Sequence, residues 1–148
     1  LFQKLRPEGL HDMKKDLFLF MAGGSIYPTL EVIWRGRTHI SMAVAGGICL
    51  CLIDHICNRR MRRRPLLARC CAGSGIITCV ELAAGIVVNL ILHLDVWDYS
   101  TLPMNLFGQV CLPFSALWVL LSLPAMGLGR LLDRSRFLCG SPASVSDA

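Results

Sequence analysis

Apolar residues in this chain gather into four stretches of roughly 18–25 residues, separated by short polar or charged segments. A helix rises about 1.5 Å per residue, so each stretch is long enough to cross the hydrocarbon core of a bilayer. The expected spans are residues 17–34, 39–56, 70–94 and 106–126. A tight connection, Arg35-Gly36-Arg37-Thr38, joins the first two spans. The run Asn58-Arg59-Arg60-Met61-Arg62-Arg63-Arg64-Pro65 joins the second to the third. The pattern predicts an all-α membrane protein of four transmembrane helices in two hairpins. A mixed-charge lead-in over residues 1–16 is expected as an interfacial helix, the membrane domain covers 17–126, and a basic tail covers 127–148. The tail ends in Ser-Pro-Ala-Ser-Val-Ser-Asp-Ala, a small polar sequence expected to be disordered.

Charge orients these spans. Four Lys/Arg precede the first span, six follow the second and three lie in the tail, whereas Arg35 and Arg37 alone fall on the other side. The positive-inside rule then places the N- and C-termini and the Arg-rich loop in the cytoplasm of a multi-pass cell-membrane protein. Arg35 and Arg37 oppose the rule and call for another role. The net charge of +5 comes from residues that flank apolar spans without interleaved aromatics. The expected partner is the lipid bilayer, and no nucleic acid is expected. No cleavable leader is expected, because the apolar run after residue 16 is long and lacks a small-residue cleavage site.

The eight cysteines lie mostly inside the spans or beside the basic loop, where cysteine packs as a small hydrophobe. Cys70-Cys71 has neither a second pair nor a histidine at metal-ligand spacing, so no metal site is expected. Ala43, Gly47 and Cys51 recur every fourth position and make a small-residue stripe that favours close helix packing.

Ionisable groups at membrane depth are costly and mark candidate sites. Glu81, Gly85, Asn89 and His93 are four residues apart and predict one polar stripe on the third helix. That stripe is either a track for an ion, proton or solute, or a protonated Glu81 and an Asn89 hydrogen-bonded to neighbouring helices. Gly24, Tyr27, Glu31 and Arg35 predict a second face. There Glu31 and Arg35 suit an i,i+4 pair, and Arg35 could instead reach Glu81 or the Asp98 loop. Glu31, Arg35 and His39 are candidates for a polar-solute site, with a structural salt bridge as the alternative. Pro28, one turn before Glu31, is expected to kink the helix and free a carbonyl. Trp97-Asp98-Tyr99-Ser100 reads as interfacial aromatic anchors with a capping Asp98. A repeat with an offset of fifty pairs Ala22, Gly23, Ile26 and Glu31 with Ala72, Gly73, Ile76 and Glu81. There is no phosphate-cradling loop, nucleophile elbow or redox Cys-x-x-Cys. Neither enzyme activity, ATP hydrolysis nor a cofactor is expected.

Several runs together resemble one family. Gly23-Gly24-x-x-Tyr27, Leu30-Glu31-x-x-Trp34-Arg35-Gly36-x-Thr38-His39, Ser41-Met42 and Gly46-Gly47 form the first group. Ile76-Ile77-Thr78-x-x-Glu81, Gly85 and Asn89 follow. Val96-Trp97-Asp98-Tyr99-Ser100, Pro103, Asn105-Leu106, Gly108-Gln109 and Cys111-Leu112 complete the set. The combination resembles the small membrane family known as putative ABC-transporter type IV, over residues 17–121. Pro28 and the Arg-rich, cysteine-bearing middle depart from it. The resemblance implies a small transport-associated subunit or permease, oligomeric, that works with a separate ATPase subunit. The alternative is a non-transporting organiser or regulator in which Glu31, Arg35 and Glu81 act as structural glue.

Overall fold

The structure is a computed structural model and describes residues 7–139. Four long helices dominate it: α1 (Pro7–Arg35), α2 (Ile40–Ile53), α3 (Leu66–Gly85) and α4 (Leu112–Cys139). Helices α2 and α3 continue as wider π turns over Asp54–Arg60 and Ile86–Ile91. With these extensions, four helical segments among the described residues are long and apolar enough to cross a membrane: Asp12–Arg35, Ile40–Arg60, Leu66–Ile91 and Leu112–Ser135. Large apolar residues face outward, among them Ile33 (77% exposed), Leu67 (71%) and Leu120 (63%). Such a surface suits acyl chains rather than water.

Local chemistry sets most boundaries. α1 ends where Gly36 adopts φ +71° and its N–H returns to the Val32 carbonyl at 2.8 Å. His39 caps α2, its Nδ1 accepting from the Ser41 N–H at 3.2 Å. Pro65 directly precedes α3, a place where its missing N–H leaves nothing unpaired. The expected fourth span began at residue 106. Instead, Asn105–Leu106 (β1) and Val110–Cys111 (β2) pair as a small antiparallel hairpin, with Asn105 opposite Cys111, and α4 starts at Leu112. Left-handed backbone at Met104, Phe107 and Gly108 turns the chain there. α1 runs unbroken from Pro7, so no break marks residue 16, and it continues as helix through Pro28. α4 likewise continues past residue 126 to Cys139. The expected disordered Ser-Pro-Ala-Ser tail lies outside the described residues.

The helices pack as two hairpins, α1 on α2 and α3 on α4, joined through α2 on α3. At the α1–α2 crossing the backbones touch. A Cβ on Gly23 would overlap the Gly46 carbonyl, and one on Gly46 would overlap the Gly23 carbonyl and the Tyr27 Cβ. The small-residue stripe serves this crossing: Ala43 lies against Gly24, Gly47 against Phe20, and Cys51 donates to the Asp16 carbonyl at 3.3 Å. The repeat glycines occupy matching places, since Gly73 meets Ser122 of α4 as Gly23 meets α2. The core holds Cys49, Ile53, Cys57, Cys70, Ile77, Trp118 and Met126, three of them cysteines packing as apolar residues.

Gly46→Ala is expected to cost about 1–3 kcal/mol through overpacking, read as a lower melting temperature in detergent. Gly75→Ala, whose Cβ would meet nothing within 4 Å, is the control expected to leave melting unchanged.

Candidate functional site

Polar groups sit at three levels of the bundle. At the middle level Glu81 of α3 is 3% exposed. Its Oε1 accepts from the Tyr27 hydroxyl of α1, and its Oε2 accepts from Trp118 Nε1 of α4 at 2.9 Å. The two donors come from the helices on either side, so one carboxylate joins three helices.

The second level lies toward the α1–α2 turn. Glu31 pairs with Arg35 through Oε1 and accepts from the Thr38 hydroxyl through Oε2 at 2.7 Å. Arg35 also donates to the Val96 carbonyl at 3.2 Å, which ties α1 to the α3–α4 connection. The i,i+4 pair forms, and the further reach of Arg35 goes to a backbone carbonyl rather than to Glu81 or Asp98. His39 turns away to cap α2 and shares a 2.9 Å contact with the Ser41 hydroxyl. Thr38 takes the place beside Glu31 that His39 was expected to fill.

Asn89 belongs to the same end but holds the connection together. Its Nδ2 donates to the Trp97 carbonyl at 3.0 Å and to Gln109 Oε1 at 2.7 Å, and its Oδ1 accepts from the Val96 N–H at 2.7 Å. Trp97 is buried and donates from Nε1 to the Gln109 carbonyl at 2.9 Å. Gly85 gives Gln109 and Trp97 room to approach α3. The polar stripe therefore runs Glu81, Gly85, Asn89 and stops. After the π turns, the helix closes with Leu94 N–H on the Val88 carbonyl, and His93 sits exposed with φ 52°. Asp98 is exposed and binds Ser100 through its N–H at 2.8 Å and its hydroxyl at 2.9 Å, a local turn cap. Tyr99 turns inward and stacks on Phe114 at 4.9 Å between centroids. Burial pushes the Tyr99 phenol well above its ordinary pKa, and the Glu81 charge adds to this.

Rings converge between α1 and α4. Tyr27 lies 5.9 Å from Trp118, Phe114 lies 6.1 Å from Trp118, and Trp34 meets Phe114 edge-on at 6.4 Å. They bound a cavity of about 230 Å³ that also includes Glu31 and Arg35. A second cavity of about 300 Å³ adjoins it, lined by apolar residues such as Ile53 and Ile77, with Tyr27, Leu30, Trp118 and Leu121 shared between the two.

The third level, toward the Arg-rich turn, was not foreseen. Lys15 of α1 is 4% exposed and contacts Asp54 Oδ2 at 2.7 Å and Asp133 Oδ1 of α4 at 2.8 Å. Asn58 donates to Asp54 at 2.9 Å and to the Met126 carbonyl at 2.9 Å. Arg69 of α3 reaches Asn58 Oδ1 and the Cys57 carbonyl, each at 2.8 Å. Arg59 adds Asp54 at 3.4 Å and Asp12 at 3.6 Å. Gly129 gives Asp54 its space against α4. The available signal was Asp54 itself, an acid inside an apolar run, with Lys15 two residues before another. Trp118 and Phe114 were missed because an apolar helix carries aromatic rings without any distinguishing spacing, and Gln109, in the β1–β2 turn, had entered only as part of the family likeness.

Among known proteins, the family model described as putative ABC-transporter type IV matches residues 41–131. The match starts later and ends later than the expected likeness over 17–121. No curated protein and no solved structure is significantly similar.

Lys15→Met is expected to cost about 3–5 kcal/mol, because it removes the nearest cation from the buried Asp54 carboxylate and leaves it only Asn58 and the more distant Arg59. Adding Asp54→Leu should recover part of that loss. A double-mutant cycle in detergent checks this, and strictly additive costs would show the pair to be uncoupled.

Proposed function

This chain belongs to the putative ABC-transporter type IV family, and we propose that it is a transport-associated membrane subunit that relies on a separate ATPase. It would sit in the cell membrane as a multi-pass protein with both termini and the Arg-rich turn cytoplasmic, as the thirteen Lys/Arg on that side favour. The observation that carries the reading is the cavity holding the Glu31–Arg35 pair, separated from Glu81 by only the two side chains that clamp it, Tyr27 and Trp118. A charged pair facing an open cavity at membrane depth is the arrangement a polar solute needs to leave water. The chain contains no nucleotide-binding motif, so the driving hydrolysis would come from a partner. The Arg-rich turn beside the Lys15–Asp54–Asp133 cluster is the natural face for that partner, because ion pairs there join α1, the extension of α2 and α4, and Arg69 of α3 hydrogen-bonds to Asn58 beside them.

The organiser reading is favoured by a different observation. Both oxygens of Glu81 already have donors, and Asn89, Asp54 and Asn58 are likewise engaged, as they would be in a purely structural role.

Glu81→Gln separates the two. The amide keeps an acceptor for Tyr27 but turns an NH2 toward Trp118 Nε1, so one hydrogen bond is lost while the volume is kept. In membrane vesicles from producing cells, ATP-dependent uptake of labelled solutes is expected to fall at least tenfold while folded yield in detergent holds. Uptake that is identical with and without the chain, or a yield that collapses while uptake per folded molecule is kept, would favour the organiser.

A further inference from the structure

The cavity between α1 and α4 has an unusual wall. Tyr27, Trp34, Tyr99, Phe114 and Trp118 all line it, which uses both tyrosines and two of the three tryptophans of the chain. Aromatic faces carry negative quadrupole charge and attract cations placed over them. The formal charges around the cavity lean the same way. Glu31 lies in its lining, and Glu81 sits behind Tyr27 and Trp118. Against these two acids stands Arg35, which is spent on Glu31 and the Val96 carbonyl. An anion would therefore face rings and two acids offset by one arginine already paired with Glu31, whereas a cation meets the ring faces and the excess of acid.

We propose that the ring-lined cavity between α1 and α4 binds an organic ammonium group. At about 230 Å³ it is smaller than the roughly 300–1,000 Å³ of drug-sized ligand pockets, so the occupant is a small alkylammonium head rather than an extended molecule. The methyl or methylene groups of such a head match the rings and Leu30, and its charge matches the carboxylates. A bare metal ion would leave the rings unused, and a neutral hydrocarbon would leave the acids unused. The head can belong to a free solute or to a lipid, since the cavity lies along the α1–α4 seam, where the two helices meet chiefly through their rings. This inference names a ligand class for the site described above. It is testable as binding alone, apart from transport.

The full chain in maltoside detergent, which has no ammonium group, is titrated by calorimetry with tetraethylammonium and with choline. The neutral choline isostere 3,3-dimethylbutan-1-ol serves as the control. Saturable binding of the cations is expected, at least tenfold tighter than any binding of the alcohol. Phe114→Leu removes one ring face and is expected to weaken choline binding fivefold or more. Glu31→Gln leaves Arg35 without its acid and is expected to abolish choline binding. Both variants are first checked for unchanged elution and melting. Competition by phosphatidylcholine but not phosphatidylglycerol would identify a lipid headgroup as the source of the ammonium, and absence of such competition would identify a free solute. No saturable cation binding, or equal binding of choline and its neutral isostere, overturns the proposal. Cation binding without ATP-dependent uptake would keep the ammonium site and remove the transport reading. Uptake of some other solute without cation binding would do the reverse.

Discussion

Hydrocarbon offers no partner to a charge, so an acid buried in a membrane helix must be met by the protein itself. Glu81 shows how that demand shapes the fold. Its two oxygens take a hydroxyl from α1 and an indole N–H from α4, which fastens at mid-bundle two helices that also share an ion pair and ring contacts. Without the carboxylate, Tyr27 and Trp118 would have no polar reason to face the same point. Their rings would then no longer bound two cavities at once. The clamp thus sets both the spacing of α1 from α4 and the shape of the space between them.

The same requirement is met at each end of the bundle by different chemistry. Toward the Arg-rich turn, ionic groups from α1, α4 and the helical extension of α2 meet around Asp54, and Arg69 of α3 joins them through Asn58. Toward the α1–α2 turn, the Glu31–Arg35 pair and the Asn89–Gln109 amides fasten the α3–α4 connection, with backbone carbonyls of Val96 and Trp97 as acceptors. Hydrogen bonds to backbone at one end and ion pairs between helices at the other have distinct mechanical meanings. The first orders a loop, and the second fixes whole helices.

Much of this was readable in advance, for identifiable reasons. Four spans follow from apolar length alone, because a bilayer imposes one length scale on every crossing helix. The Glu31–Arg35 pair follows from i,i+4 spacing, and Asp98 was read as a cap, which it forms on Ser100. The start of α4 was misplaced because Asn105–Leu106 and Val110–Cys111 are as apolar as a helix end, and their pairing depends on left-handed backbone at Phe107 and Gly108. His93 was placed on the Glu81 face by extending a 3.6-residue period through turns that are wider than that. The Lys15–Asp54–Asp133 cluster joins residues more than a hundred positions apart in the chain, and periodicity within one helix carries no information about such a meeting.

The Lys15–Asp133 ion pair and the Trp34–Phe114 ring contact tie the same two helices at opposite ends, and they are unequal ties. Between them stands the Tyr27–Glu81–Trp118 clamp, so α1 and α4 are held at three heights, and neither can swing about one end without breaking a bond at another.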